Sequence, residues 1–460
     1  MTGISQIRQF FNWHEHTSAA PLAVYRIGFG ILMLFSTMRF LLNGWVESQY
    51  IEPHFHFPYL GFEWVPYPSE SLIYSLFIGM IIGSILIILG LFYRFGAFLF
   101  FFSFTYVELL DKTNYLNHYY FVSLVAFLLV LIPANRYFSL DARLGLTNYS
   151  KTCPKWHIGL LQFQIAIVYI FAGIAKLESD WLFHAQPLKY WLHTAHHYDF
   201  IGPILKQDWV AYFFAWFGCI YDLTIVFFLL TKKTRPYAYF FVIVFHITTW
   251  LLFPIGVFPW VMIMATLIFF EAYFHERILN FIRLLFGHQE AKRSGINTAL
   301  LPKKMTTALI GAYLAVQLLI PFRYLFYEGN LFWKEQGFRF SWRVMLMEKA
   351  GYAMFYVIDP KTKSEIEINN SKYLTQNQEK MMSTQPDMIL QYAHYLQDVY
   401  SDTTVIQHGV SMEFNKPEIH AEIYVTLNGR PNQLYVDKKH DLAQIDNDLS
   451  ERKWVEDFVK

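Results

Sequence analysis

The chain has 460 residues, 55% of them hydrophobic and only 16% charged, where soluble domains carry about a quarter charged. Most of it therefore cannot fold as a water-soluble globule, and its 20% aromatic content suits lipid-facing and interfacial positions. A formal net charge of +1 gives no reason to expect a nucleic-acid partner, so the informative charges are those fixed by position along the chain.

The opening MTGISQIRQFFNWHEH is polar and aromatic, and no small-residue cleavage site follows the first apolar run, so insertion is expected from internal spans. Apolar stretches predict spans at about 22–42, 72–93, 95–110, 118–133, 157–175, 210–230, 237–253, 257–273 and 306–321. Several fall short of the roughly 20 residues a perpendicular helix needs, as in a protein with a wet cavity or a re-entrant piece. Eight to nine spans are expected. With the N-terminus inside, the cytoplasmic loops collect Arg94; Arg136, Arg143, Lys151 and Lys155; Lys232, Lys233 and Arg235; and Arg277, Arg283, Lys292, Arg293, Lys303 and Lys304. The first outer loop, 43–71, has Glu47, Glu52, Glu63 and Glu70 and no Lys or Arg. Cys153 in a basic loop and Cys219 in an apolar run are expected to be free thiols.

After about residue 322 the apolar runs shorten and the charges rise. A helix at about 386–400, a strand IHAEIYVTL at 419–427, a turn NGRP and a short strand QLYVD predict a small α+β domain. The expected fold is mainly α: a polytopic transmembrane helical bundle over 1–321 carrying an extracytoplasmic domain over 322–460. Nine spans place that domain outside the cytoplasm.

Polar groups in or near the hydrophobic slab are costly and mark candidate sites. The first cluster, LLDKTNYLNHYYF, holds Asp111, Lys112, Asn117 and His118 in the outer turn between the third and fourth spans; on residue chemistry alone it serves equally well as a solvated turn. The second, QFQIAIVYIFAGIAKLESDW, ends its span on Lys176, followed by Glu178 and Asp180. A snorkelling Lys with acidic neighbours accounts for it, but Gln162 and Gln164 in the same span point one helix face into protein or water. An amine in a partly dry pocket loses its charge readily, and a neutral Lys can serve as a general base. Orientation puts Lys176 and the 111–118 turn on one membrane face. Asp222 and His246 are the other intramembrane polar groups, and a lone His is better explained by a hydrogen bond than by a metal. The pair His196–His197 has no carboxylate or thiolate at matching spacing, so no metal is expected. Phosphate-loop, dinucleotide-fingerprint, zinc-protease and nucleophile-elbow motifs are missing.

Two motifs carry a resemblance. LLDKTNYLNHYY resembles LLDKTSWNNHSY, and VYIFAGIAKLESDW resembles VYFIAGVKKLDADW, both from the vitamin K-dependent γ-glutamyl carboxylases. Similarity continues through YDL (221–223), FHITTWLLFPIGVF (245–258), FRFSWRVM (338–345) and EIYVTLNGRPNQLYVD (422–437), covering about residues 20 to 440. The resemblance implies oxidation of vitamin K hydroquinone, here of menaquinol type, by O2 to the 2,3-epoxide, with the strongly basic oxygenated species removing a γ-proton from a glutamyl residue before CO2 adds. It places the family's catalytic Lys on Lys176 and its functional His on His118. Asn117, His246 and Asp222 become candidate cofactor-binding residues, and Ser341, Trp342 and Arg343 candidate substrate-binding residues. The implied partners are the bilayer, a reduced quinone and a glutamate-containing peptide or protein. Three departures stand out: Arg343 replaces the Asp of vertebrate members, Ala175 replaces the first Lys of the family's KK pair, and the sequence stops at 460 without the large C-terminal β domain of animal enzymes. The last weakens the expectation of propeptide-guided, processive carboxylation. Quinol epoxidation without protein carboxylation, or passive binding of a lipid-like molecule, are the alternatives.

Overall fold

A computed structural model describes residues 15–194, 201–287, 303–407 and 410–459. The N-terminal stretch 1–14, His196 and His197, and Lys292 and Arg293 lie outside the described residues. Six described helices are long and apolar enough to cross a membrane: Ala20–Leu42, Glu70–Leu89, Tyr93–Leu110, Lys155–Ala175, Asp208–Leu230 and Thr307–Phe326. A seventh is reached if Phe258–Phe269 and Ala272–Phe286, which meet at a 117° bend, count as one span. The expected spans 118–133 and 237–253 form helices Asn117–Leu131 and Arg235–Leu252, and both fall below that measure. The protein is thus a multi-pass, mainly helical membrane protein.

Arg26 is fully buried at the end opposite to the 111–118 turn, where a charge is tolerated only if its donors are satisfied. It donates to the carbonyls of Ile87, Ile88 and Phe138, capping helix Glu70–Leu89 where Gly90 turns the chain at φ 60°. A Cβ on Gly90 would lie 2.7 Å from Arg26 Nη1, so the turn and the buried cation require a glycine there.

Beyond the helices, Lys349–Ile358 and Glu418–Leu427 pair antiparallel over ten residues, with Glu365–Glu367 and Gln433–Val436 on the two flanks. Strand Glu418–Leu427 alternates buried and half-buried positions, and Ile419, Ala421, Ile423, Val425 and Leu427 share a core with Met388, Ile389, Tyr392, Ala393 and Leu396 of helix Pro386–Tyr400.

Two polar junctions fasten this α+β unit to the helical bundle. Asp387 receives Lys112 Nζ at 2.8 Å and Arg339 Nη1 at 2.7 Å. Asp180 accepts from Asn428 at 2.9 Å and from both Arg430 Nη atoms at 2.8 and 2.5 Å. Asp111 also accepts from Gln378 Nε2 at 3.0 Å. Asp111, Lys112 and Asp180 of the two sequence motifs thus have a structural use. Replacing Arg430 with Ala is expected to cost about 1.5–3 kcal/mol, the scale of hydrogen bonds to a charged group, seen as faster proteolysis around 428–436. Unchanged proteolysis would make the junction ornamental.

Candidate active site

Lys176 sits just past the last turn of helix Lys155–Ala175, and Asp222 lies midway along helix Asp208–Leu230. The two helices approach closely because residue 173 has no side chain: a Cβ there would lie 2.8 Å from Leu223 Cγ and 2.9 Å from its backbone nitrogen. The approach lets Lys176 Nζ reach Asp222 Oδ2 at 2.7 Å, with the Ala172 carbonyl at 3.3 Å and the Trp181 ring at 5.4 Å. Both side chains are under one-tenth exposed. Gln162 and Gln164 do face protein, Gln162 donating to the Ile268 carbonyl and Gln164 accepting from Tyr313.

The Lys176–Asp222 pair lines a chamber of about 90 Å³. Its remaining walls are mostly apolar, among them Leu188, Phe214, Phe245, Phe253 and Met262. His246 joins the lining, its Nε2 2.9 Å from the Tyr169 hydroxyl and its buried Nδ1 without a partner. The hydrogen bond expected for this residue exists, and one ring nitrogen remains for something else.

Next to it is a wider chamber of about 490 Å³, lined by His118, Asn117 and Arg39 among others. Ile255, Phe258, Val344 and Met345 line both chambers. The Phe258 ring lies between the histidines, 5.7 Å from His118 and 5.9 Å from His246. Lys176 and His118 therefore line adjacent chambers that share these four wall residues.

That wall belongs in part to segment 338–345, where Phe340, Trp342 and Met345 all have φ between 55° and 60°. Such backbone costs about 1–3 kcal/mol per residue and persists only when its surroundings hold it. Tyr115 accepts from the Phe340 amide at 2.7 Å, Asn117 donates to the Arg343 carbonyl at 3.0 Å, and Tyr120 stacks on Trp342 at 5.0 Å. Asn117 thus spends its amide on the segment. Ser341 donates to the Phe338 carbonyl, and the Arg343 guanidinium lies 4.4 Å over Tyr324. Ser341, Trp342 and Arg343 line neither chamber, whereas the next two residues line both.

Tyr169, Phe258 and Arg39 were not singled out from sequence. Tyr169 stands seven residues before Lys176, two helical turns along the same face, which was the available signal. Phe258 lies among many apolar residues and gave none.

Residues 14–274 match the family model described as HTTM domain, and residues 302–460 match that described as Vitamin K-dependent gamma-carboxylase, lumenal domain. No solved structure matches the chain.

Proposed function

The chain belongs to the vitamin K-dependent gamma-carboxylase family, and from that premise we propose that it is an integral membrane oxygenase that converts vitamin K hydroquinone to the 2,3-epoxide and carboxylates glutamyl residues with CO2. The observation that carries this reading is the buried Lys176–Asp222 pair on the wall of an apolar chamber. The residues fit a reduced quinone: the walls suit its ring, and His246 Nδ1 is a buried polar atom awaiting a partner such as a phenolic oxygen.

When bound, the hydroquinone supplies the electrons taken by dioxygen and, through that oxidation, the strong base that glutamate deprotonation demands. The protein's part begins with Lys176. Passing the ammonium proton to Asp222 over 2.7 Å leaves an amine and a carboxylic acid, both uncharged, the arrangement a dry cavity favours over an ion pair. The free amine then takes a hydroquinone proton as general base. His246 orients the ring oxygen, and His118 on the far side of Phe258 donates to developing negative charge. The apolar walls keep out water, which would quench a strong base. A volume near 90 Å³ is below the ~150 Å³ of a cavity that takes up a benzene ring, so a bicyclic quinol enters only if Met345 and Phe258 swing toward the wider chamber.

In this reading residues 1–321 are the catalytic membrane domain, and 322–460 lie on the extracytoplasmic side, with Val344 and Met345 as the part of segment 338–345 that faces the substrate. Epitope tags after Lys304 and at the C-terminus should report opposite sides; both on one side would remove the last crossing. Purified protein given reduced vitamin K, oxygen, labelled bicarbonate and a Glu-containing peptide should form epoxide and fix label. Epoxide without label would favour quinol epoxidation alone, the second reading, for which Arg343 in place of the Asp of vertebrate members is the supporting observation.

A further inference from the structure

The wider chamber has a charge imbalance that the base chemistry does not use. Among the described residues its lining includes the Arg39 guanidinium, the side-chain amides of Gln49, Asn114 and Asn377, and no Asp or Glu. Arg39 lies in the last turn of helix Ala20–Leu42, where a cation offsets the terminal carbonyls. That accounts for a positive charge there but supplies no acidic partner for it. Among the described residues it forms no ion pair, its Nε is buried without a hydrogen-bond partner, and the guanidinium lies 4.9 Å from the Trp45 ring. A guanidinium held against an aromatic face, in a cavity free of acids, has the chemistry to receive a carboxylate.

Resting on the functional reading above, the geometry points to Arg39 as the residue that holds the substrate's glutamyl carboxylate, in the chamber that His118 also lines and across Phe258 and Met345 from Lys176. The position fits the chemistry. The carboxylate is anchored while the neighbouring γ-carbon faces the dry chamber, and the acid-free lining avoids repelling an anion that must enter from water. Arg343, the sequence-based candidate for this task, lines neither chamber.

The test uses the purified full chain and two peptides that differ only in a single Glu or Gln. Wild type should bind the Glu peptide at least about tenfold tighter, Arg39→Gln should bring the two affinities together, and Arg39→Lys should keep part of the difference. In wild type, modification of Arg39 by phenylglyoxal, mapped by mass spectrometry, should be slowed by the Glu peptide and not by the Gln peptide, a readout that needs no variant to fold. Equal protection by both peptides, or a Glu preference that survives in Arg39→Gln, overturns the proposal. Epoxide formation by wild type is followed separately: its absence sinks the functional reading, while the Glu and Gln comparison still decides the Arg39 site.

Discussion

Lys176→Arg is expected to abolish hydroquinone epoxidation, a loss at the upper end of the roughly 10²–10⁴-fold that a positioned general base contributes. The variant keeps a cation beside Asp222 and so can match only the ion-paired form of the wild-type pair. A guanidinium stays protonated at any accessible pH and cannot receive the hydroquinone proton. Lys176→Ala should fail as completely, and a small exogenous amine that reaches the chamber should restore part of the rate. His118→Ala should be milder, about 10²–10³-fold, because it removes one oriented donor and leaves the base in place. Near-normal epoxidation by Lys176→Arg would mean that the position supplies only charge, and the base would have to be sought at His118.

Asp387→Asn is expected to have the largest effect on stability. The substitution leaves Lys112 and Arg339 buried together without a counter-charge, and breaking a buried pair in this way costs about 3–5 kcal/mol. Melting of the α+β unit should fall by ~10 °C or more, and a shift under two degrees would contradict the account. The pH response has a definite sign. Burial alone would raise the Asp387 carboxyl, but Arg339 and Lys112 hold it well below the usual carboxylate range. Its stabilisation is thus present above the ordinary carboxylate value near 3.9 and is lost as pH falls through the lower folded value. Burial pulls Lys112 down to about 8 against the attraction of Asp387, while the unfolded chain holds that proton to about 10.4. Stability should therefore rise as pH climbs between those two values, and Lys112→Met should flatten that rise.

Much of the helical layout was legible in the sequence because a span needs only an apolar run of sufficient length. Helix Pro386–Tyr400 and strands Glu418–Leu427 and Gln433–Val436 also lie where the residue pattern puts them, since a polar surface forces clean periodicity on half-buried elements. Strand Lys349–Ile358 was missed: its first residues, Lys349, Ala350 and Gly351, blur the alternation, and its identity depends on a partner some seventy residues away. Helix Gln376–Met382 was missed too, although Thr375 and Gln378 form a capping box that the sequence displays.

The candidate site was legible in its residue types and not in its arrangement. Lys176, Asp222 and His246 could each be flagged as polar groups in an apolar setting, but nothing local says that Gly173 brings the first two within 2.7 Å. Asp111, Lys112 and Asp180 sit in the same motifs as the candidate catalytic residues, and it took the fold to assign them to docking. Arg26 and Arg39 lie in one predicted span, yet one is consumed by backbone carbonyls and the other faces a cavity. A span's sequence does not reveal which of its cations is satisfied.

The claim at the centre of this account is that the reacting edge of the quinol enters the chamber walled by Lys176, Asp222 and His246. Photo-crosslinking of the purified protein with a photoreactive quinone analogue, followed by peptide mapping, tests it directly. The account predicts adducts on the residues around that chamber, Phe214, Phe253 and Met345 foremost, reduced in amount when reduced vitamin K competes. Adducts confined to other surfaces, or adducts in the chamber that vitamin K leaves undiminished, would contradict it.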